Sequence, residues 1–166
     1  MPGLTVKSLL AAALFATALT GCHSVDDDRI PYLPVRINFN TQGDWVTYGV
    51  SGAVEARRFI KPVEPAGFPY TSLSATGFGG VLLVCDYNGE YRAFDLACPV
   101  EVRSDVRINA ILDSGEPRGE CPVCHSTYDI FRYGGPLSGP AARHGYGLTH
   151  YFVGPGFQGE YMTVSH

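Results

Sequence analysis

The chain has 166 residues, a formal net charge of −4 and only two lysines, Lys7 and Lys61, with the arginines scattered. No basic patch is present to neutralise phosphates, which argues against nucleic-acid binding. Gly and Pro are frequent (20 and 12), and Tyr and Phe total 19, a composition that suits short strands joined by tight turns in a single domain.

Residues 1–21 read as a targeting segment. Lys7 is the only charge before Asp26, and an apolar run follows from Leu9 to Leu19. The run falls short of the roughly 20 apolar residues that span a bilayer, and it suits the h-region of a secretory signal peptide. It ends in Leu19-Thr20-Gly21-Cys22, which resembles the lipobox of bacterial lipoproteins. That resemblance implies cleavage before Cys22, lipidation of its thiol, a membrane anchor there and a place in the bacterial cell envelope. The remaining chain, residues 22–166, has a formal charge of −5, because Lys7 leaves with the signal. Asp26, Asp27 and Asp28 repel one another, so residues 22–30 are expected to form a solvated acidic tether. A Ser close to an acidic run also resembles the signal that sends some lipoproteins to the outer surface of the outer membrane. A generic polar linker is the alternative.

Residues 31–166 read as one β domain with almost no helical periodicity. Val35-Arg36-Ile37-Asn38-Phe39 alternates apolar and polar, the pattern of a half-buried strand. Trp45 to Val50 is expected to be another strand, while Ala56 to Pro62 is ambiguous. Gly80 to Cys85 is a short apolar run suited to a strand buried on both faces. Asn88-Gly89 and then Glu90 to Asp95 follow, and Asn-Gly between two such runs predicts a hairpin. Cys85 lies on its first strand and reads as a small buried hydrophobe. Val102 to Ile111 alternates, Asp113 to Pro117 is a turn, and Thr127 to Phe131 is a strand. Gly134-Gly135-Pro136 and Ser138 to Ala141 read as loops. Leu148 to Val153 and Tyr161 to Val164 make a final hairpin. Many short strands at close spacing predict an all-β sandwich or barrel.

The chemistry concentrates in two segments, Cys98-Pro99-Val100-Glu101 and Cys121-Pro122-Val123-Cys124-His125-Ser126. Two Cys-bearing loops joined by a hairpin-length segment are how several folds hold a metal or an iron–sulfur cluster. An exported chain also meets oxidising conditions, so a disulfide competes with a metal. The sequence holds no glycine-rich phosphate loop, and Ser126 has no triad-like partners.

The order of segments from Gly80 onward resembles a Rieske domain. Ala93-Phe94-Asp95-Leu96-Ala97-Cys98-Pro99 is similar to the approach to that family's first loop. Cys121-Pro122 opens the second loop, Ser126-Thr127-Tyr128-Asp129 matches the strand after it, and Gly139-Pro140-Ala141 matches the proline loop. The resemblance implies an all-β, Rieske-like antiparallel β-sandwich with a small loop-built cluster-binding subdomain. It also implies a [2Fe–2S] cluster, electron transfer and a redox protein partner. A Rieske centre uses two thiolates and two imidazoles. Cys98 and Cys121 fall at the thiolate positions, whereas Val100 and Cys124 stand where the family has its imidazoles, and His125 is one residue out of register.

Three readings of the site follow. Cys98, Cys121 and Cys124 bind a metal with His125, Glu101, His144 or His150, as a zinc site or, with Cys85 as fourth thiolate, a [2Fe–2S] cluster. Alternatively, two of the three form a disulfide staple, or the thiols are free and buried. The first predicts electron transfer if the metal is a cluster. A zinc or disulfide staple predicts a non-redox structural or binding lipoprotein. Enzymatic activity of the domain alone is not expected, because in the resembling family catalysis usually belongs to a partner domain.

Overall fold

The computed structural model describes residues 24–113 and 115–166. The signal segment and Cys22 lie outside the described residues. The fold is all-β, with two short helices. In chain order the elements are β1 (Val35–Phe39), α1 (Gln42–Tyr48), β2 (Glu55–Phe59), β3 (Ala75–Thr76), β4 (Val81–Cys85), β5 (Tyr91–Asp95) and β6 (Asn109–Ile111). There follow β7 (Arg118–Glu120), β8 (Thr127–Tyr128), β9 (Pro136–Ser138), α2 (Gly139–His144), β10 (His150–Pro155) and β11 (Met162–Ser165).

Seven strands form one antiparallel sheet in the order β2-β4-β5-β10-β11-β1-β3. It nearly closes on itself: Lys61, just past β2, donates its backbone N–H to Thr76 Oγ1 of the opposite edge at 3.4 Å. Four shorter strands form a second antiparallel sheet, β6-β7-β8-β9. The β4–β5 hairpin forms as the Asn88-Gly89 signal predicts, with Cys85 opposite Tyr91 and Gly89 at φ +82°.

β4 organises the interior because both its faces are buried. Val81, Leu83 and Cys85 point into a core with Ile37, Phe39, Trp45, Phe59, Phe68 and Val164, inside the large sheet. Leu82 and Val84 point the other way, into a second core with Phe94, Leu96, Ile108, Tyr128, Ile130 and Leu148. The period-two alternation of a strand makes this division unavoidable. The sandwich is therefore local: the small sheet covers the outer face of β4 and β5.

Several segments differ from the sequence expectation. Trp45 to Val50 is not a strand, because Gln42–Tyr48 is helical. Thr41 Oγ1 accepts the Asp44 N–H at 3.1 Å and Asp44 Oδ2 accepts the Thr41 N–H at 2.9 Å, a reciprocal cap that nucleates the helix. Ser138 to Ala141 is not all loop, because α2 starts at Gly139, with Pro140 in its first turn and Gly145 at φ +74° ending it. The Val102 to Ile111 strand shrinks to β6, since Val102 turns at φ +50° and donates to Cys98 O at 2.9 Å.

The acidic segment has exposed Asp side chains, but its backbone is pinned. Asp26 N–H donates to Gly145 O at 2.7 Å, and Asp26 O accepts from Gly147 N–H at 2.8 Å. Arg29 lies over the Tyr146 ring at 4.2 Å from its centroid, and Ile30 is buried. Asp26 is thus tied into the folded body, since charge repulsion acts on the side chains and leaves the peptide groups free to pair.

Candidate metal centre

Two loops bring three cysteines together. The first follows β5. Asp95, fully buried at the end of that strand, accepts the N–H groups of Phe78 at 3.0 Å, Gly79 at 3.0 Å and Ala97 at 2.7 Å, and the Tyr151 hydroxyl at 2.6 Å. These bonds fix the chain just before Cys98. Cys98 N–H then donates to Val106 O at 3.0 Å, which closes the loop from its far side. The second loop joins β7 to β8. Cys121 N–H donates to Ser126 O at 3.0 Å and His125 N–H donates to Cys121 O at 3.1 Å, so Pro122 to Cys124 project as a tight turn.

The Sγ atoms of Cys98, Cys121 and Cys124 all lie within 4.8 Å of one another, a group that could hold a metal ion. Cys98 and Cys121 are fully buried and Cys124 is half-buried. The Cys98 and Cys124 sulfurs stand 3.6 Å apart. Two sulfurs on one tetrahedral zinc, with Zn–S of 2.3 Å, would stand about 3.8 Å apart. No disulfide is formed among the described cysteines.

Hydroxyls support the sulfurs. Cys98 Sγ is hydrogen-bonded to the Tyr128 hydroxyl at 3.4 Å, and Cys124 Sγ lies 3.2 Å from Ser126 Oγ. Ser126 Oγ in turn accepts the Ala141 N–H at 3.0 Å, which ties the loop to α2. Gly139 is required at that junction: its φ is +77°, and a Cβ there would fall 2.8 Å from Ser126 Cα.

Burial pushes the Cys98 thiol above the usual range, and it pushes Cys121 up to about 12, with the Cys98 sulfur adding to the effect. Cys124 moves the other way. Burial works to raise it, but hydrogen bonds from the Ser126 side chain and backbone prevail and lower it. Burial, and then the Cys98 sulfur, hold the Tyr128 hydroxyl well above the ordinary tyrosine range. At neutral pH without an ion, Cys98 and Cys121 are thiols, and Cys124 is the most acidic of the three sulfurs.

The other candidate donors lie outside this group. His125 is exposed, with its backbone at φ +55°. His144 is exposed and stacks on Tyr146, and His150 contacts the Tyr133 carbonyl. Glu101 contributes its backbone N–H to Cys98 rather than its carboxylate. Cys85 packs in the core inside the large sheet, on the opposite face of β4 from the cluster, so it cannot serve as a fourth thiolate. Val100 packs beside the cluster as a hydrocarbon. Sequence reading found the three cysteines and missed Ser126 and Tyr128 as their partners. The signal for both was the approach to β8: Ser126 and Tyr128 stand two residues apart, and alternate side chains along extended backbone return to the same face.

A cavity of about 680 Å³ lies elsewhere, between the β4–β5 turn and residues 115–117 and 129–132. No described helix is long and apolar enough to cross a membrane. Comparison with family models, curated proteins and solved structures finds no match to this chain.

Proposed function

We propose that this chain is an exported, lipid-anchored binding protein whose Rieske-like fold has exchanged its cluster for a single thiophilic ion held by Cys98, Cys121 and Cys124. The triangle of sulfurs carries the reading, because soft thiolates select soft ions. Zinc, with its affinity for such donors, is the natural probe. A two-imidazole [2Fe–2S] centre does not fit this donor set: Val100 and Cys124 stand at the two imidazole positions, and a cluster needs four protein ligands. Cys22 would carry the lipid and hold the domain at the envelope membrane. A redox partner would be required only if iron were present.

Elemental analysis of the full chain, purified in detergent under reducing and oxygen-free conditions and offered zinc, tests the site. One zinc per chain in a colourless protein is expected. Two irons per chain with visible colour would overturn the single-ion reading in favour of electron transfer. Mass analysis of the peptide that begins at Cys22 tests the anchor. It should carry acyl chains, and Cys22→Ser should release the protein from the membrane fraction.

A further inference from the structure

We propose that the ion this site selects is trivalent and three-coordinate, of the arsenite class, an inference that rests on the three-sulfur reading above. The donor set points there first. Among the described residues the site offers three sulfurs within 4.8 Å of one another and no fourth metal-binding side chain. Structural zinc closes its shell with four ligands, so here it would depend on a water or another outside group. A trivalent arsenic needs no fourth donor, because its remaining valence position is a lone pair.

Charge balance points the same way. Leu96, Val106, Ile108, Ile130 and Ala141 share one apolar core with Cys98 and Cys121, which are fully buried, and Val100 and Cys124 pack against it. The polar contacts to the sulfurs come from the neutral hydroxyls of Tyr128 and Ser126 and from backbone N–H groups. A divalent ion on three thiolates would leave one uncompensated negative charge in this apolar pocket, and burying such a charge is costly. Three thiolates on trivalent arsenic are neutral.

The binding step balances without any other reactant. Arsenous acid, As(OH)3, meets three S–H groups. Three As–O bonds break, three As–S bonds form, and each thiol proton leaves with one hydroxyl as water. Arsenic keeps its oxidation state, so no oxidant or reductant takes part. Entry is from the Cys124 side, where Pro122, Val123 and His125 are exposed and Cys124 itself is half-buried.

The test uses the full chain in detergent, reduced and oxygen-free, titrated with sodium arsenite and separately with zinc chloride. Arsenic per chain is counted after desalting. Protected thiols are identified by alkylation and peptide mass mapping, and X-ray absorption reads the atoms around arsenic in the unsubstituted protein. One arsenic per chain, protection confined to Cys98, Cys121 and Cys124, a shell of three sulfurs and no displacement by equimolar zinc are expected. Cys98→Ala, Cys121→Ala and Cys124→Ala should each weaken arsenite binding by at least about a hundredfold, since each removes one arm of a chelate. The absorption shell does not depend on those variants folding. Zinc protecting the same three thiols while arsenite fails to compete, or arsenite held by two sulfurs only, would overturn this inference and leave the single-ion site standing. Protection by neither ion would overturn both.

Discussion

The two sheets are built from the same kind of strand, yet they hold together in different ways. The seven-stranded sheet has long ladders: β2 with β4 and β4 with β5 each pair five residues in register. Its interior is dominated by aromatic edges, with Phe39 meeting Trp45, Phe59 and Phe68 at centroid distances of 4.9 to 5.7 Å. In the four-stranded sheet, β7 pairs with β8 over only two positions, Gly119 with Tyr128 and Glu120 with Thr127. The core beneath that sheet includes Cys98 and Cys121 themselves. The core inside the large sheet contains none of the three cysteines proposed to bind the ion. In the small sheet, the residues proposed to bind the ion are also the residues that pack it, so occupancy and local stability are coupled.

The hardest way to break this comparison is through the large sheet. Phe39→Ala empties the centre of the aromatic cluster and is expected to cost about 3–5 kcal/mol, the range for buried aromatic truncations. Chemical denaturation should show the loss. Zinc should restore little of it, because the ion does not touch that core. A variant rescued fully by zinc would mean that the two cores are one energetic unit.

The ion comes next in size. At a concentration one hundred times its dissociation constant, a ligand that binds only the folded state adds about 2.7 kcal/mol. Thermal melts with and without zinc should show that gain, hydrogen exchange should place it in β6–β9 and the two loops, and Cys121→Ala should abolish it. pH sharpens the point. Burial keeps Cys98 raised and Cys121 at about 12, so both are protonated at neutral pH and must lose their protons to bind zinc. Raising the pH favours the thiolates, and with at least the Cys98 and Cys121 protons released the zinc affinity should climb about a hundredfold or more per pH unit in the neutral range. Calorimetry in buffers of different ionisation enthalpy checks the proton count. Arsenite displaces its thiol protons as water, so its affinity should stay nearly flat over the same range.

What the sequence disclosed follows the same division. The large-sheet strands were legible where alternation is clean, as at Val35 to Phe39, and where Asn88-Gly89 marks a turn. The short strands were not, because two or three residues carry no period: β8 was expected to reach Phe131, but Asp129 Oδ1 accepts the Phe131 N–H at 3.2 Å and turns the chain. Both helices were missed, although Thr41-x-x-Asp44 and the Pro140–Gly145 bracket were present, because neither is long enough for helical periodicity to register. At the site the cysteines were legible from their spacing. That Cys85 belongs to the other core was decided only by the strand's parity, which side of β4 each neighbour occupies.

The smallest expected effect concerns His125. Its N–H closes the Cys121 loop, and its own backbone takes the turn at φ +55°. A side chain in that left-handed region costs roughly 1–2 kcal/mol. Glycine accepts the conformation freely but gives up about 0.5–1 kcal/mol of that gain through its greater freedom when unfolded. His125→Gly should therefore stabilise the ion-free protein by about 1 kcal/mol or less, read as a small rise in melting temperature. The imidazole is exposed and lies outside the three-sulfur group, so arsenite affinity should not change. A variant that melts higher but binds the ion less tightly would make His125 a donor in the occupied state. The strained backbone would then persist because it holds the imidazole at the mouth of the site, and the ion would have four ligands instead of three.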